Sequence, residues 1–354
     1  MKAISVEDLQ PGMILARSLV NDDMVVILSE DTTLTKAHIT RLNFLNIPVV
    51  YIKDDVDLRA MRAEESPFFN RGNAFTREYT GVVNEVQNIF DELGKGKTEH
   101  VERAKNVVQQ SVMPMVKNSG VIDFLFDITH LSGDVYNHSL RVSVLSGVIA
   151  KWMHFGPRKS RDVVLAGFLH DIGKSRFPER LLGKNINNLK GEDYEQYVQH
   201  TMDGQQILNS MEGISEGVKL AAMQHHERMD GSGFPFNSIG ADIHEYARIV
   251  AIADIYDNIT TERAGYVKQT PFHAIDYITK HLYTTLDPTV SVPVLTHIKD
   301  AFLGSRVILS NGLSGIIVAF PGDFAARPII SVAQGEIINL NDHNDIQITE
   351  YNPK

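Results

Sequence analysis

Cysteine is absent from the 354-residue sequence. Its absence excludes disulfides, iron–sulfur clusters, zinc ribbons and thiol nucleophiles, so any bound metal must be held by nitrogen and oxygen atoms. Long apolar runs are also missing, since none approaches the roughly 18 residues that a membrane-spanning helix requires. Residues 1–8 lack the basic and apolar regions of a signal peptide. We therefore expect a cytoplasmic protein with no membrane partner.

Basic residues are also scarce relative to acidic ones. The sequence has 34 Lys and Arg against 44 Asp and Glu, a formal net charge of −10. This balance argues against a broad basic face for a nucleic acid polymer, but it permits a local basic pocket for one small phosphate ligand. The hydrophobic share of 43% is typical of a globular protein, and the length suits two or three domains.

The pattern of apolar residues predicts a multi-domain protein with an all-α centre. Short apolar stretches between turn signals predict a small α+β N-terminal module, to which we assign a regulatory or protein-interaction role by elimination. A polar linker and two connecting helices follow, then an almost wholly helical domain, and β-branched alternation predicts a β-rich C-terminal extension. The predicted boundaries are 1–55 for the N-terminal module, 56–75 for the linker, 76–118 for the connecting helices, 119–303 for the helical domain and 304–354 for the C-terminal extension.

The adjacent pair His170 and Asp171 ends an apolar segment that begins at Gly167 and is followed by Lys174. Such a pair is a weak signal alone, because a hydrogen-bonded helix end explains most of them. The signal strengthens because further imidazoles and a carboxylate also interrupt apolar helical segments, where a buried charge needs a partner. These residues are His138, His200, His225, His226 and Asp254.

Five imidazoles and two carboxylates exceed the ligands that one metal accepts, and two metals that share Asp171 use them economically. A bimetal pair can bind the oxygens of a phosphodiester and lower the pKa of a bridging water. Lys174 could then offset the negative charge that develops on the phosphoryl group. The structural alternative for Lys174 is compensation of a helix dipole.

The segment Asp230–Pro235 follows the His225–His226 pair and contains Gly231 and Gly233. Glycines beside Asp and Pro make a loop that can bring its backbone close to a ligand. Taken alone it is a good turn, but directly after two histidines it becomes a candidate substrate loop.

Together, the His-Asp pair, the spaced histidines and the Asp230–Pro235 loop resemble the HD-GYP family of His-Asp domain phosphodiesterases. The resemblance implies an HD-GYP helical bundle, two divalent ions such as Fe or Mn, and hydrolysis of cyclic di-GMP by a metal-bridging hydroxide in bacterial second-messenger signalling. It implies Asp171 and Lys174 as catalytic residues and linear pGpG as product, with GMP left open. One metal would be held by His138, His170, Asp171 and Asp254, and the other by Asp171, His200, His225 and His226.

The sequence departs from the family pattern in three places. The signature tyrosine is Phe234, which lacks the hydroxyl. A third-metal carboxylate of some members corresponds to Asp134, which is shorter than the expected Glu, so a third ion is left open. Arg263 matches the family pattern after Asp254, but the basic residue that follows it is displaced or replaced by Tyr266, which puts phosphate contacts in doubt. The substrate-binding candidates are Arg228, Asp230, Gly231, Gly233, Phe234, Pro235, Arg263 and Lys268, and surface ion pairs are the alternative for the two arginines.

Three functional hypotheses follow from these residues. The first is cyclic di-GMP hydrolysis, and the second is hydrolysis of another cyclic dinucleotide, since contacts to the guanine bases cannot be read from the motifs. The third is a signalling adaptor that binds cyclic di-GMP but turns it over poorly, as Phe234 would allow. A regulatory partner of the N-terminal module and a homodimer are left open.

Overall fold

The computed structural model is mostly helical and ends in an antiparallel sheet, which confirms the helical centre and the C-terminal strands. The structure describes residues 2–16, 19–20, 26–28, 32–45, 47–53, 73–97, 100–117, 120–127, 134–184, 186–263, 266–322, 326–332 and 336–352. The predicted linker at 56–75 lies outside these residues except for its last three positions, which are helical.

The N-terminal residues form short strands around one helix. Strand β1 (Lys2–Ser5) pairs antiparallel with β4 (Val49–Ile52), and β2 (Leu19–Val20) pairs with β3 (Val26–Leu28). Helix α1 (Lys36–Phe44) lies between β3 and β4 in the chain, and the Thr35 hydroxyl caps it by accepting from the His38 amide. Buried leucines hold this part together, as their apolar area is removed from water; they are Leu15, Leu28, Leu34 and Leu42.

Two helical segments precede the central bundle. Helix α2 (Asn73–Gly94) is followed by α3 (His100–Val107), which runs through a π-helical segment (Val108–Val112) into α4 (Met113–Lys117). Both segments lie within residues 76–118 or directly before them, and residues 95–97 lie between the two. Helix α5 (Val121–Asp127) comes next.

The histidines and carboxylates proposed for the metal sites lie on the central helices or directly beside their ends. Helix α6 is buried along nearly its whole length, from Asn137 to Ala150, and it packs against α7. Small residues allow this close approach: a Cβ on Gly167 would lie 2.9 Å from the Val142 carbonyl oxygen. The bounds are α6 (Val135–Trp152), α7 (Pro157–Leu169), α8 (Glu192–Asn209), α9 (Glu216–Gln224), α10 (Glu245–Thr260), α11 (Pro271–His281) and α12 (Pro288–Phe302).

The chain ends in a five-stranded antiparallel sheet with the strand order β8-β7-β6-β5-β9. Alternate residues of β5 and β7 are buried, as expected for a sheet with one covered face. The strands are β5 (Arg306–Leu309), β6 (Ser314–Ala319), β7 (Ile329–Val332), β8 (Ile337–Asn339) and β9 (Ile348–Asn352).

Contacts divide the chain into two compact units. One comprises residues 1–69, 118–124 and 296–354, and therefore includes both the N-terminal strands and the C-terminal sheet. The other comprises residues 70–117 and 125–295, with α2 to α4 and α6 to α11. Among the described residues, no helix is long and apolar enough to cross a membrane.

Candidate metal centre

The central helices bring the predicted ligands together in two groups that share Asp171. Each residue of a group offers one ligand atom, and these atoms lie within 4.8 Å of one another. The first group contains His138 of α6 with His170 and Asp171, which follow α7. The second contains Asp171 with His200 of α8 and the two residues that follow α9, His225 and His226.

The backbone sets the orientation of three imidazoles. Nδ1 of His170, His200 and His225 each lies against the carbonyl oxygen three residues earlier, at 2.8 Å for His170 and 3.0 Å for His225. Because a carbonyl oxygen only accepts hydrogen bonds, each Nδ1 must carry the hydrogen. In the neutral ring, Nε2 then presents a lone pair, which is the form that binds a metal.

The first group is closely spaced around a common centre. His138 Nε2 lies 3.3 Å from His170 Nε2, 3.5 Å from Asp171 Oδ2 and 3.1 Å from Asp254 Oδ1. His170 Nε2 lies 3.4 Å from the same Asp171 oxygen. Asp254 of α10 therefore joins the group through its contact with His138.

The second group is arranged around the other oxygen of Asp171. Asp171 Oδ1 lies 3.3 Å from His200 Nε2 and 3.6 Å from His225 Nε2, and the two nitrogens are 3.4 Å apart. Asp171 Oδ1 and His226 Nε2 are both buried without a hydrogen-bond partner. Such buried polar atoms are rare and call for a partner, such as an ion.

The spacing of these atoms fits divalent cations. Bonds of about 2.1 Å to nitrogen and oxygen place neighbouring ligands of a tetrahedral or octahedral shell about 3.0 to 3.4 Å apart. Burial also lowers the pKa of His170 to about 3 and lowers the pKa values of His200 and His226. These imidazoles are therefore neutral near pH 7, and facing lone pairs can be satisfied by a shared cation but not by each other.

His138 differs from His170, His200 and His225 because a carboxylate, rather than a carbonyl, holds its Nδ1. Asp257 Oδ2 lies 2.8 Å from that nitrogen. Burial opposes a charge on His138, but the hydrogen bonds to Asp254 and Asp257 outweigh it and raise its pKa. A proton on Nε2 thus competes with a metal cation for the position between His138 and Asp254. The carboxylates stabilise whichever of the two occupies it, because both are positively charged.

Lys174 donates a hydrogen bond to Asp171 Oδ2 over 2.6 Å. Burial by itself would lower the pKa of the ammonium, but the neighbouring Asp171 carboxylate outweighs this effect and raises it. Burial also acts on Asp171 and by itself would raise the pKa of the carboxyl. Lys174 and His170 outweigh this effect and lower that pKa, so the carboxylate is ionised. The centre therefore contains a permanent cation beside the carboxylate that both groups share.

The loop at Asp230–Pro235 is fastened to the end of α9 by Glu227. This buried carboxylate accepts hydrogen bonds from the amides of Phe236 at 2.8 Å and Ser238 at 3.0 Å. The Phe234 amide donates to the carbonyl oxygen of His226, and the two rings stack with centroids 4.5 Å apart. The structure thus places Phe234 directly against a residue of the second group.

Glycines in this loop are required by its geometry. A Cβ on Gly233 would lie 2.4 Å from the His226 carbonyl oxygen, so no side chain fits there. Gly231 has a φ of +80°, in the left-handed region that favours glycine. Asp230 accepts from the amide and hydroxyl of Ser232, and the bond between Phe234 and Pro235 is cis.

The predicted phosphate-binding side chains make internal contacts. Arg228 donates from Nη1 to the carbonyl oxygens of His225 and Glu227. Arg263 lies 3.9 Å from Asp257. The role of Arg228 and Arg263 in substrate binding therefore stays a prediction.

Two further predicted residues lie apart from the two ligand groups. Lys268 is placed over the ring of Phe126, with Nζ 4.6 Å from the centroid. Asp134 is exposed and caps α6, accepting from the amides of Tyr136 and Asn137. Neither of the two groups found among the described residues includes Asp134, and its role in a third site stays a prediction.

Three residues around the centre were missed from the sequence. Asp257 and Arg141 form a buried ion pair beside His138, and Glu227 anchors the loop. Asp257 lies one turn after Asp254, and Arg141 one turn after His138, so helical spacing was a usable signal. No sequence pattern predicts that the arginine of this pair is buried.

Comparisons with known proteins show what the helical part of the chain is similar to. The HD domain family matches residues 126–290. This part of the chain is similar to an HD domain. The match spans the helices that carry all seven proposed ligands, and it confirms, together with the proteins below, the resemblance to the HD-GYP family.

Curated relatives of this chain include bacterial phosphodiesterases. A cyclic di-GMP phosphodiesterase of Pseudomonas aeruginosa, PA4108, is 26% identical over 249 residues, which cover 70% of this chain and 59% of that protein. The 3'3'-cGAMP-specific phosphodiesterase 1 of Vibrio cholerae is 35% identical over 128 residues, covering 36% of this chain and 29% of the relative. The chain thus spans less than two thirds of the length of these relatives.

A solved structure shows the same fold. Bd1817, described as a HDG"Y"P protein from Bdellovibrio bacteriovorus, aligns with a TM-score of 0.54 at 17% sequence identity. The alignment covers 83% of this chain and 97% of the other. At this identity the similarity concerns the fold.

Proposed function

We propose that the chain is a metal-dependent phosphodiesterase that hydrolyses cyclic di-GMP. The observation that carries the proposal is the convergence of two imidazole groups on opposite oxygens of Asp171. The imidazole nitrogens and the carboxylate oxygens that could bind metal lie 3.1 to 3.6 Å apart. Two cations at this spacing suit a phosphodiester, whose non-bridging oxygens can contact both.

The residues of the chain would hold the ions in two sets that share Asp171. The first set is His138, His170, Asp171 and Asp254, and the second is Asp171, His200, His225 and His226. When bound, two divalent ions such as Fe or Mn would polarise the phosphodiester and activate water. The carbonyl contacts of the Nδ1 atoms keep the imidazoles oriented for this task.

Lys174 supplies the cationic side chain nearest to the shared carboxylate among the contacts described. Its ammonium keeps one hydrogen bond to Asp171 and has two further donors. Those donors could bind a phosphoryl oxygen and offset the charge that develops as the ester bond breaks. The Lys174 side chain is held beside Asp171 and is only 16% exposed. This position supports a role at the phosphoryl group over that of a solvated charge at a helix end.

A second candidate substrate is 3'3'-cGAMP, because one relative is named for its specificity toward that compound. Both compounds present the same phosphodiester ring to a metal centre and differ in one purine base. The Phe234 ring can stack on either base, since stacking tolerates sequence. Cyclic di-GMP is preferred here because the relative with the longer match is named for it.

The deciding experiment compares hydrolysis of cyclic di-GMP and 3'3'-cGAMP by Mn-loaded and Fe-loaded protein, with chromatographic identification of pGpG and GMP. D171N should abolish turnover and reduce metal content, because the shared ligand is weakened for both ions. D193N is the matched control, since Asp193 pairs with Arg180 at the surface. Wild-type turnover by D171N would contradict the proposal.

A binding-only adaptor is the remaining alternative and is separated by the same assay. Tight binding of cyclic di-GMP, with no product after prolonged incubation with either metal, would favour the adaptor. Faster turnover of 3'3'-cGAMP than of cyclic di-GMP would instead assign the second candidate substrate.

A further inference from the structure

His138 is the imidazole of the first group whose Nδ1 is not held by its own helix. Its partner is Asp257 Oδ2 of α10, 2.8 Å away, and both side chains are buried. The other three oriented imidazoles use backbone carbonyls, which cannot be changed by substitution of a side chain. The orientation of His138 therefore depends on a side chain from another helix.

A buried carboxylate at this position needs compensation, and Arg141 provides it. Arg141 Nε donates to Asp257 Oδ1 over 2.6 Å, and Arg141 Nη2 donates to Oδ2 over 3.2 Å. The Arg141 side chain is fully buried. Such a pair is costly to desolvate, and replacing it by apolar residues is often neutral or stabilising. A specific use of the charges explains their retention better than stability does.

The arrangement continues from Arg141 to α2. Arg141 also forms a hydrogen bond with the Tyr79 hydroxyl. The same hydroxyl donates to the Asn137 carbonyl oxygen over 3.3 Å, immediately before His138 in the chain. Four side chains from three helices thus form one connected series: Tyr79, Arg141, Asp257 and His138.

We propose that Asp257 is a positioning residue that fixes the Nδ1–H tautomer of His138 and so keeps Nε2 available for metal, with Arg141 and Tyr79 holding Asp257 in place. The proposal rests on the metal centre of the proposed function. It assigns roles to three residues that bind no metal themselves. Carboxylate partners of metal-binding imidazoles typically change metal affinity by 10- to 100-fold.

The substitution D257N tests the proposal because an amide has only one acceptor oxygen. Arg141 has only donors and will take that oxygen, which leaves the amide nitrogen facing His138. His138 must then accept at Nδ1 and carry its hydrogen on Nε2, the wrong atom for metal binding. We expect Mn²⁺ titration of the metal-free protein to show one site weakened by about 10- to 100-fold and the other unchanged.

The tautomer can be read without metal. Nitrogen-15 NMR of the metal-free protein should show hydrogen on Nδ1 of His138 in the wild type and no hydrogen on Nδ1 in D257N, where the introduced amide donates to it. If D257N does not fold, R141Q/D257N removes both buried charges and is expected to show the same weakened site.

D287N is the matched control, because Asp287 forms a buried ion pair with Arg248 at 2.8 Å and its other hydrogen-bond partner is Thr289. It should lower the melting temperature without changing Mn²⁺ affinity or the His138 tautomer. Wild-type affinity and tautomer in folded D257N would overturn the inference while leaving the metal centre intact. A wild type that binds no Mn²⁺ would contradict the metal centre, whereas the NMR comparison would still decide the role of Asp257.

Discussion

Lys174 Nζ and Asp171 Oδ2 are 2.6 Å apart, and the lysine follows the aspartate by three residues on a 3₁₀ turn. The turn begins where α7 ends, so the shared carboxylate and its cation are parts of one rigid local segment. The same oxygen also lies 3.4 Å from His170 Nε2. Asp171 is thus surrounded by positive or metal-binding groups on both of its oxygens.

The first prediction concerns the charge of Lys174. K174M should lower kcat for cyclic di-GMP by about 10²- to 10³-fold, as expected when one group that stabilises the transition state is removed. The metal content should stay close to that of the wild type, because the ammonium does not ligate. Steady-state kinetics and elemental analysis of the same preparation measure both quantities.

A surface lysine provides the control for K174M. Lys159 pairs with Glu245 at the same distance of 2.6 Å, but both side chains are about 40% exposed. K159M should leave kcat unchanged. A K174M enzyme with wild-type kcat would assign Lys174 to the structural role of neutralising Asp171.

The second prediction concerns the anchor of the substrate loop. In E227Q the introduced amide can accept from Phe236, but its nitrogen would face the Ser238 amide, which also donates. We expect the loop to loosen and KM to rise by about 10-fold, the equivalent of one buried hydrogen bond at about 1.4 kcal/mol. Limited proteolysis should cleave E227Q faster between residues 230 and 239.

E245Q is the control for this substitution, since Glu245 is an exposed glutamate whose ion-pair partner is Lys159. An unchanged KM in E227Q together with slow proteolysis would show that other bonds, such as that from the Asn237 side chain to the Gly233 carbonyl, suffice to hold the loop.

The sequence predicted which side chains converge but not how each is held. Histidines at apolar helical positions were sufficient to predict a shared centre, because a buried imidazole needs a partner. The helix end near the His-Asp pair could not be located from the sequence: α7 ends at Leu169 and a 3₁₀ turn follows. Apolar periodicity does not distinguish a continued α-helix from such a turn.

Long-range partners account for the rest of what the sequence could not show. Arg141 resembled an ordinary polar position of α6, yet its partner Asp257 lies 116 residues away in the chain. Glu227 directly follows two proposed ligands in the chain, but its oxygens accept from the amides of its own loop. Pairing of this kind depends on tertiary packing, which a single sequence does not specify.

The third prediction addresses the number of metal ions. D134N should retain two ions per chain and wild-type stability, because Asn caps a helix as well as Asp does. D134A removes the cap and should cost about 0.5–2 kcal/mol of stability. Elemental analysis of the purified variants counts the ions. Three ions in the wild type and two in D134N would establish a third site.

The last prediction uses two glycines at one contact between the His-Asp turn and α8. A Cβ on Gly173 would lie 1.9 Å from the His200 carbonyl oxygen and 2.7 Å from the Gly204 amide nitrogen. Backbone atoms cannot move aside as a flexible side chain can. G173A should therefore displace the turn from α8, lower the free energy of unfolding by about 1–3 kcal/mol or more, and weaken metal binding by separating Asp171 from His200.

G204A is the matched control on the opposite side of this contact. Its Cβ would meet the Gly173 nitrogen at 3.4 Å and the Ala222 Cβ at 3.5 Å, which are ordinary contacts. Within a helix the change should stabilise by about 0.5–1 kcal/mol. Urea unfolding and Mn²⁺ titration of both variants provide the comparison. If G173A matched the wild type in both measurements, the close approach of the turn to α8 would not be needed to bring Asp171 to His200.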